Sequence, residues 1–157
     1  MILRQVYIFG MITVIFFSVA AIAETVKTKL YIPELEVTSG QAIPVPVKID
    51  PADKLAGIKL VLEYDPNLFR FEKVEKTKQS AGLMHVVNDQ KPGHLIIVMA
   101  GARGITGKDI TILFIHFTAL PDVSETHIGK INITEIELMT DSLKEIPCAL
   151  SNSSITV

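Results

Sequence analysis

Hydrophobic and polar residues alternate along most of the chain with a period of two, which is typical of β-strands rather than helices. In residues 43–49, Ile and Val alternate with Pro and Lys, and residues 58–64 repeat the alternation. Residues 110–120 are apolar in both phases, as expected of a central strand. Turn-forming residues separate about nine such segments, and no long amphipathic helix interrupts them. The pattern therefore predicts an all-β protein, an antiparallel β-sandwich.

Proline and glycine refine this prediction. Because Pro44 and Pro46 lack a backbone N–H, residues 43–49 are predicted to form an edge strand, or one paired on alternate residues only. Residues 89–93 contain Pro-Gly and are predicted to connect a hairpin. Residues 101–108 contain three glycines but depart from a phosphate-binding loop at two required positions. They are predicted to form a glycine-rich connection.

The alternation changes parity once in the C-terminal third of the chain. Ile131 and Ile133 share one phase, whereas Ile136 and Leu138 share the other. One extra residue in a strand produces such a change, so a β-bulge is predicted near residues 134–135.

The N-terminus has a different pattern. Arg4 is the only charged residue before Glu24, and it precedes an apolar stretch that ends in Ala21-Ile22-Ala23. A basic start, an apolar centre and a small-x-small ending are typical of a secretory signal peptide, so residues 1–23 are predicted to be removed after Ala23. An uncleaved membrane anchor is the alternative. Residues 24–157 then form one domain that is secreted, or located in the periplasm or cell envelope, with no membrane span after cleavage.

Composition excludes several classes of protein. The 157 residues are 48% hydrophobic and carry a net charge of −2, which argues against a disordered chain and against a nucleic-acid binder. A single cysteine excludes an internal disulfide, and Cys148 is predicted to be a buried apolar residue rather than a reactive thiol.

Candidate chemistry is sparse. The four histidines, His85, His94, His116 and His127, lie far apart and lack the spacing of zinc ligands. The ring of His116 is predicted to be partly buried and hydrogen-bonded. No nucleophile elbow is present. We therefore predict no catalytic residues, no metal site, no cofactor and no enzymatic activity.

Several segments in order resemble a cohesin domain, the module that receives dockerins in cellulosomes and related assemblies. The resemblance covers nearly all of the chain after residue 28. The segments are Val37-Thr-Ser-Gly-Gln-Ala-Ile-Pro-Val-Pro-Val, Ala56-Gly-Ile-Lys-Leu-Val-Leu-Glu-Tyr-Asp-Pro-Asn-Leu-Phe, Gly93-His-Leu-Ile-Ile-Val-Met-Ala, Gly104-Ile-Thr with Ile112-Leu-Phe, and the closing Ser-Ile-Thr-Val.

The resemblance implies a nine-stranded jelly-roll sandwich that binds another protein. In the family, one flat sheet face accepts a helical dockerin, and the calcium belongs to that partner. Carried over by position, residues 57–64 and 94–100 should lie in this face, with residues 88 and 103 near its rim. The partner-binding residues implied are Lys59, Val61, Glu63, Asn88, Ile97, Met99 and Arg103.

A carbohydrate-binding module on the same kind of sandwich is the alternative function, with polysaccharide as the partner. Sugar rings stack on exposed aromatic side chains, and the chain contains no Trp and three Tyr, of which Tyr7 lies in the predicted leader. The composition therefore favours the protein partner. The resemblance implies a role in the assembly of an extracellular or cell-envelope complex, with polysaccharide degradation as one context.

Overall fold

The computed structural model describes residues 27–121, 128–151 and 153–156. The predicted leader and His127 lie outside the described residues. Within them, eleven strands are formed, where about nine were predicted. They are β1 (Thr28–Tyr31), β2 (Leu35–Glu36), β3 (Ala42–Asp50), β4 (Ala52–Tyr64), β5 (Phe69–Lys76), β6 (Met84–Asn88), β7 (His94–Gly107), β8 (Ile110–Ala119), β9 (Ile128–Thr140), β10 (Cys148–Ser151) and β11 (Ser153–Thr156).

The strands form two sheets. The five-stranded sheet has the order β10-β1-β3-β8-β5, and the six-stranded sheet has the order β2-β11-β9-β4-β7-β6. Neighbours are antiparallel, except that β1 pairs with β10 and β2 pairs with β11 in parallel. The chain changes sheet at most connections, as in a jelly roll. The predicted antiparallel β-sandwich is confirmed.

The core lies between the sheets and is formed by the inward phase of each strand. Leu60, Ile97, Ile115 and Phe117 are fully buried there. The rings of Tyr64 and Phe117 meet edge to face, with their centroids 4.9 Å apart. Burial of this inward phase is the main force that holds the two layers together.

The first of the two alternatives predicted from the prolines of β3, an edge strand, is wrong. The strand is not an edge, since it lies between β1 and β8. However, β1 pairs only with residues 48–50 of β3. The segment that contains Pro44 and Pro46 is therefore paired with β8 alone, and the prolines leave no ladder bond to β1 unmade.

The bulge in β9 is confirmed. Val61 of β4 pairs with Glu135 and the next residue, Leu62, pairs with Ile133, so Thr134 is the extra residue. The bulge returns both halves of β9 to the core: Ile131 and Leu138 are buried on either side of it.

The predicted hairpin is confirmed, since β6 and β7 pair in antiparallel across residues 89–93. The predicted glycine-rich connection is wrong, because β7 continues through it to Gly107. Here β7 runs so close to β4 that a Cβ at Gly104 would overlap the carbonyl group of Lys54. The glycine is required by this close approach of two backbones rather than by a turn.

Candidate functional site

Four adjacent strands, β6, β7, β4 and β9, present one side of the six-stranded sheet away from the core. Because side chains alternate along a strand, the residues between the core positions point outward. We call this surface the outer face. Its residues are Met84, Val86 and Asn88 of β6; His94, Ile96, Val98 and Ala100 of β7; Gly57, Lys59, Val61 and Glu63 of β4; and Asn132, Glu135, Glu137 and Met139 of β9.

One half of the outer face is apolar and open. Met84 and Val86 are 77% and 70% exposed, and Val98, which pairs with Val86, is 42% exposed. These are three of the four exposed large hydrophobic side chains in the described part of the chain; the fourth is Leu143. Hydrophobic side chains concentrated on one surface in this way are characteristic of an interaction site.

The other half is charged, and Lys59 is at its centre. The Lys59 ammonium contacts the carboxylates of Glu135 and Glu137, with 2.9 Å between Nζ and Oε1 of Glu137. The hydrogen bond from Lys59 lowers the pKa of Glu135, and the two glutamates raise the pKa of Lys59. Glu63 lies on the same face, four residues along β4, and is exposed.

The structure brings several predicted site residues to this face. Lys59 and Glu63 point outward as expected, and Asn88 is exposed at the end of β6. Val61 also points away from the core, but its neighbours leave it only 6% exposed. Arg103 is exposed, although it lies within β7 rather than beyond the strand. The role of these residues in binding stays a prediction.

The predicted orientation of Ile97 and Met99 is wrong. These side chains are 0% and 1% exposed, and both belong to the core. The outward phase of β7 consists of His94, Ile96, Val98 and Ala100 instead. Since both phases of this strand are apolar, its own pattern does not distinguish inside from outside.

The sequence reasoning also missed Met84 and Val86. The signal that identifies them is the pairing of Lys59 with Val98 and of Val98 with Val86. Once the outward phase of β4 is known from its charged residues, this register assigns the outward phases of β7 and β6 in turn. The pairing of β4 with β7 joins residues far apart in the chain and is not visible in either strand alone.

In the part of the chain that is described, no group of side chains is arranged for metal binding or for nucleophilic catalysis. No group of three His, Cys, Asp or Glu side chains converges there. His116 is partly buried as predicted, but its Nε2, 3.2 Å from the Glu75 carboxylate, makes no aligned hydrogen bond. Cys148 is half-buried, and burial raises the pKa of its thiol, which disfavours the reactive thiolate. None of the described residues forms a helix of the length and apolarity needed to cross a bilayer.

The fold and the open, polarised face define a β-sandwich interaction module. A family model described as "Cohesin domain" matches residues 28–157. The chain belongs to the cohesin family. Cohesin domains are non-catalytic modules that bind dockerins, so the chain is not an enzyme. A search of curated protein sequences found no match.

Solved structures show the same fold. A non-cellulosomal cohesin from the archaeon Archaeoglobus fulgidus superposes with a TM-score of 0.73 at 22% identity, covering 83% of this chain and 90% of that chain. CaCohA2 from Clostridium acetobutylicum, in its complex with a variant of CaDoc0917, gives 0.74 at 20% identity, covering 83% and 99%. The Coh-OlpC–Doc435 complex, a type I cohesin–dockerin complex from Clostridium thermocellum, gives 0.71 at 17% identity, covering 83% and 92%.

Proposed function

We propose that this chain is an exported receptor for a dockerin-type protein, and that the outer face holds this partner. Membership of the cohesin family supports the kind of partner. The likeness to cohesins solved in complex with dockerins supports it further. In this proposal the chain performs no chemistry, and the calcium ions belong to the partner.

The observation that carries the choice of surface is the exposed apolar half of the outer face. Met84, Val86 and Val98 are contiguous through the register of β6 and β7. Leaving such side chains in water is unfavourable by about 25 cal/mol for each Å² of apolar surface, and a partner that covers them recovers this free energy. The charged half then restricts which partner fits.

Export is the second part of the proposal and rests on the sequence of residues 1–23. The basic start, the apolar centre and the small-x-small ending support a cleaved leader. Cleavage would place the domain outside the cytoplasm, in the assembly of an extracellular or cell-envelope complex, with polysaccharide degradation as its proposed context. The mass of the protein recovered from the exported fraction of the host tests this point, since loss of residues 1–23 is expected.

A polysaccharide partner is less well supported by the outer face. None of its residues is Phe, Tyr or Trp, so it offers no aromatic ring for a sugar to stack on. The described tyrosines lie elsewhere: Tyr31 is on the five-stranded sheet, with Lys29 Nζ 5.2 Å from its ring centroid, and Tyr64 packs against Phe117. This distribution favours a protein partner.

The proposal is tested with the chain immobilised and a panel of purified dockerin modules, which includes those of the host genome and those of the complexes named above. We expect at least one module to bind in calcium and to be released by a chelator. Met84→Lys and Val86→Lys should abolish this binding without changing the thermal unfolding temperature, because both side chains are already in water. Ala42→Lys adds the same charge at an exposed position on the other sheet and serves as the matched control.

Two results would contradict the proposal. One is retention of the chain on insoluble polysaccharide with no binding to any dockerin module. The other is binding of a dockerin that is insensitive to the substitutions on β6 but is lost with Ala42→Lys, which would move the docking surface to the five-stranded sheet.

A further inference from the structure

We propose that the outer face selects a partner helix whose apolar stripe is flanked by Lys or Arg, and that Lys59 acts as a built-in competitor of these basic side chains. This inference rests on the proposed function. It concerns how the charged half of the face discriminates among partners.

The arrangement of the outer face in rows is the first part of the argument. One row across the sheet reads Val86, Val98, Lys59 and Glu137, and the next reads Asn88, Ile96, Val61 and Glu135. Each row passes from a β6–β7 half without charge to an acidic position on β9. The charge of the outer face therefore changes from one strand to the next rather than along each strand.

The dimensions of the sheet then restrict the partner. Neighbouring strands lie about 4.8 Å apart, so β6 and β9 are separated by roughly 14 Å. A helix with its side chains is about 10–12 Å wide. A single helix seated on Met84, Val86 and Val98 therefore leaves Glu135 and Glu137 at its flank, where the long side chains of Lys or Arg reach.

The charges favour basic rather than acidic groups at that flank. Lys59, Glu63, Glu135 and Glu137 are the formally charged residues of these rows and of the row beyond, and they sum to −2 (one positive, three negative). His94 pairs with Glu63 in the row beyond, with 4.0 Å between Nδ1 and the Glu63 carboxylate. The next cation on this side of β9, Lys130, lies on the far side of the bulge. A positively charged flank is therefore attracted to this half of the face.

Lys59 already occupies the place that such a flank would take. Its ammonium contacts both β9 glutamates, and all three side chains are more than one-third exposed. An incoming Lys or Arg must displace Lys59 from one of these carboxylates or share that carboxylate with Lys59. Lys59 thus lowers the affinity for basic partners and sets how much positive charge a partner needs, which is a means of discrimination by competition.

The test uses the dockerin modules that bind the wild-type chain and measures affinity by calorimetry at low and high salt. Lys59→Gln should tighten binding about 3- to 10-fold, and Glu137→Gln should weaken it by a similar factor, as expected for partly exposed charges. Both effects should shrink at about 1 M salt, where the screening length falls to roughly 3 Å. Lys73→Gln removes an exposed lysine paired with Glu75 at 3.0 Å on the other sheet, and it should change nothing.

The outcomes separate this inference from the proposed function. Binding that is weakened or left unchanged by Lys59→Gln overturns the inference and leaves the dockerin receptor intact; weakening would make Lys59 a direct contact for acidic groups. Failure of every dockerin module to bind the wild-type chain overturns both. Thermal unfolding of each variant checks its fold. If Lys59→Gln does not fold, the binding affinity of Glu135→Gln is measured in its place.

Discussion

Two neighbouring residues of β7 provide a sharp test of the fold, because the family resemblance placed Ile97 on the outer face whereas the structure places Val98 there. Ile97 was expected to point toward a partner but is fully buried, whereas Val98 points outward and is partly exposed. Truncation of each to alanine therefore separates packing from docking. Ile97→Ala should reduce stability and Val98→Ala should reduce binding.

The expected magnitudes follow from the burial of each side chain. Ile97→Ala removes three buried carbons, worth about 0.8 kcal/mol each by transfer, and leaves a cavity, so the free energy of unfolding should fall by about 3 kcal/mol. Val98→Ala removes two carbons from a side chain that is 42% exposed, so the loss should be about 1 kcal/mol or less. For a domain of this size, 3 kcal/mol corresponds to a decrease of roughly 10 °C or more in Tm.

Urea denaturation followed by circular dichroism measures both values. With an m-value of about 2 kcal/mol/M, Ile97→Ala should lower the midpoint by roughly 1.5 M at an unchanged slope. Dockerin affinity, measured below the unfolding transition, should be retained in Ile97→Ala and reduced in Val98→Ala. If Ile97→Ala were as stable as the wild type, or if Val98→Ala lost as much stability, the assignment of the two phases of β7 would be refuted.

Three further predictions concern the rest of the sandwich. Ser80→Ala should lower the free energy of unfolding by about 1–3 kcal/mol in the same urea assay, because the buried Ser80 Oγ donates to the Ile112 carbonyl at 2.5 Å. An unchanged urea midpoint would contradict this role of Ser80. The hydrogen bonds from Lys48 and Tyr31 lower the pKa of Asp109 below its usual 3.8, so this carboxylate stabilises the fold above that pH and the contribution is lost as pH falls further. Urea midpoints between pH 2 and 6 should therefore show a weaker acid dependence in Asp109→Asn, and parallel curves would contradict this. Deletion of Thr134 should leave a folded protein with dispersed NMR amide signals, since it restores regular alternation in β9, whereas deletion of Glu137 should unfold it by turning Leu138 out of the core.

Much of the fold was predictable because it depends on local alternation. The bulge at Thr134 is an example: two pairs of apolar residues in opposite phases must reach one core, and a single extra residue is the simplest way to bring them there. The hairpin between β6 and β7 likewise follows from its short connection. Such features are properties of one or two adjacent segments.

Pairing between distant segments limited the prediction elsewhere. Only residues 32–34 separate β1 from β2, yet the chain crosses between the sheets there, so the two strands join different layers. Likewise, β3 lies inside its sheet although it contains two prolines. The prolines are tolerated there because β1 is too short to pair with the part of β3 that contains them. Strand order decides both cases, and strand order is a long-range property.

By itself, the sequence determined the class of this protein: the period-two alternation requires two layers with a core between them, and the family resemblance indicated an interaction module. The tertiary structure decided which residues form the outer face. Leu-Ile-Ile-Val-Met is apolar in both phases, so only its register with the charged strand β4 turns Val98 outward and Ile97 inward. The contact of Lys59 with Glu135 and Glu137 has the same origin, since strands more than 70 residues apart in the chain become neighbours only when the sheet forms.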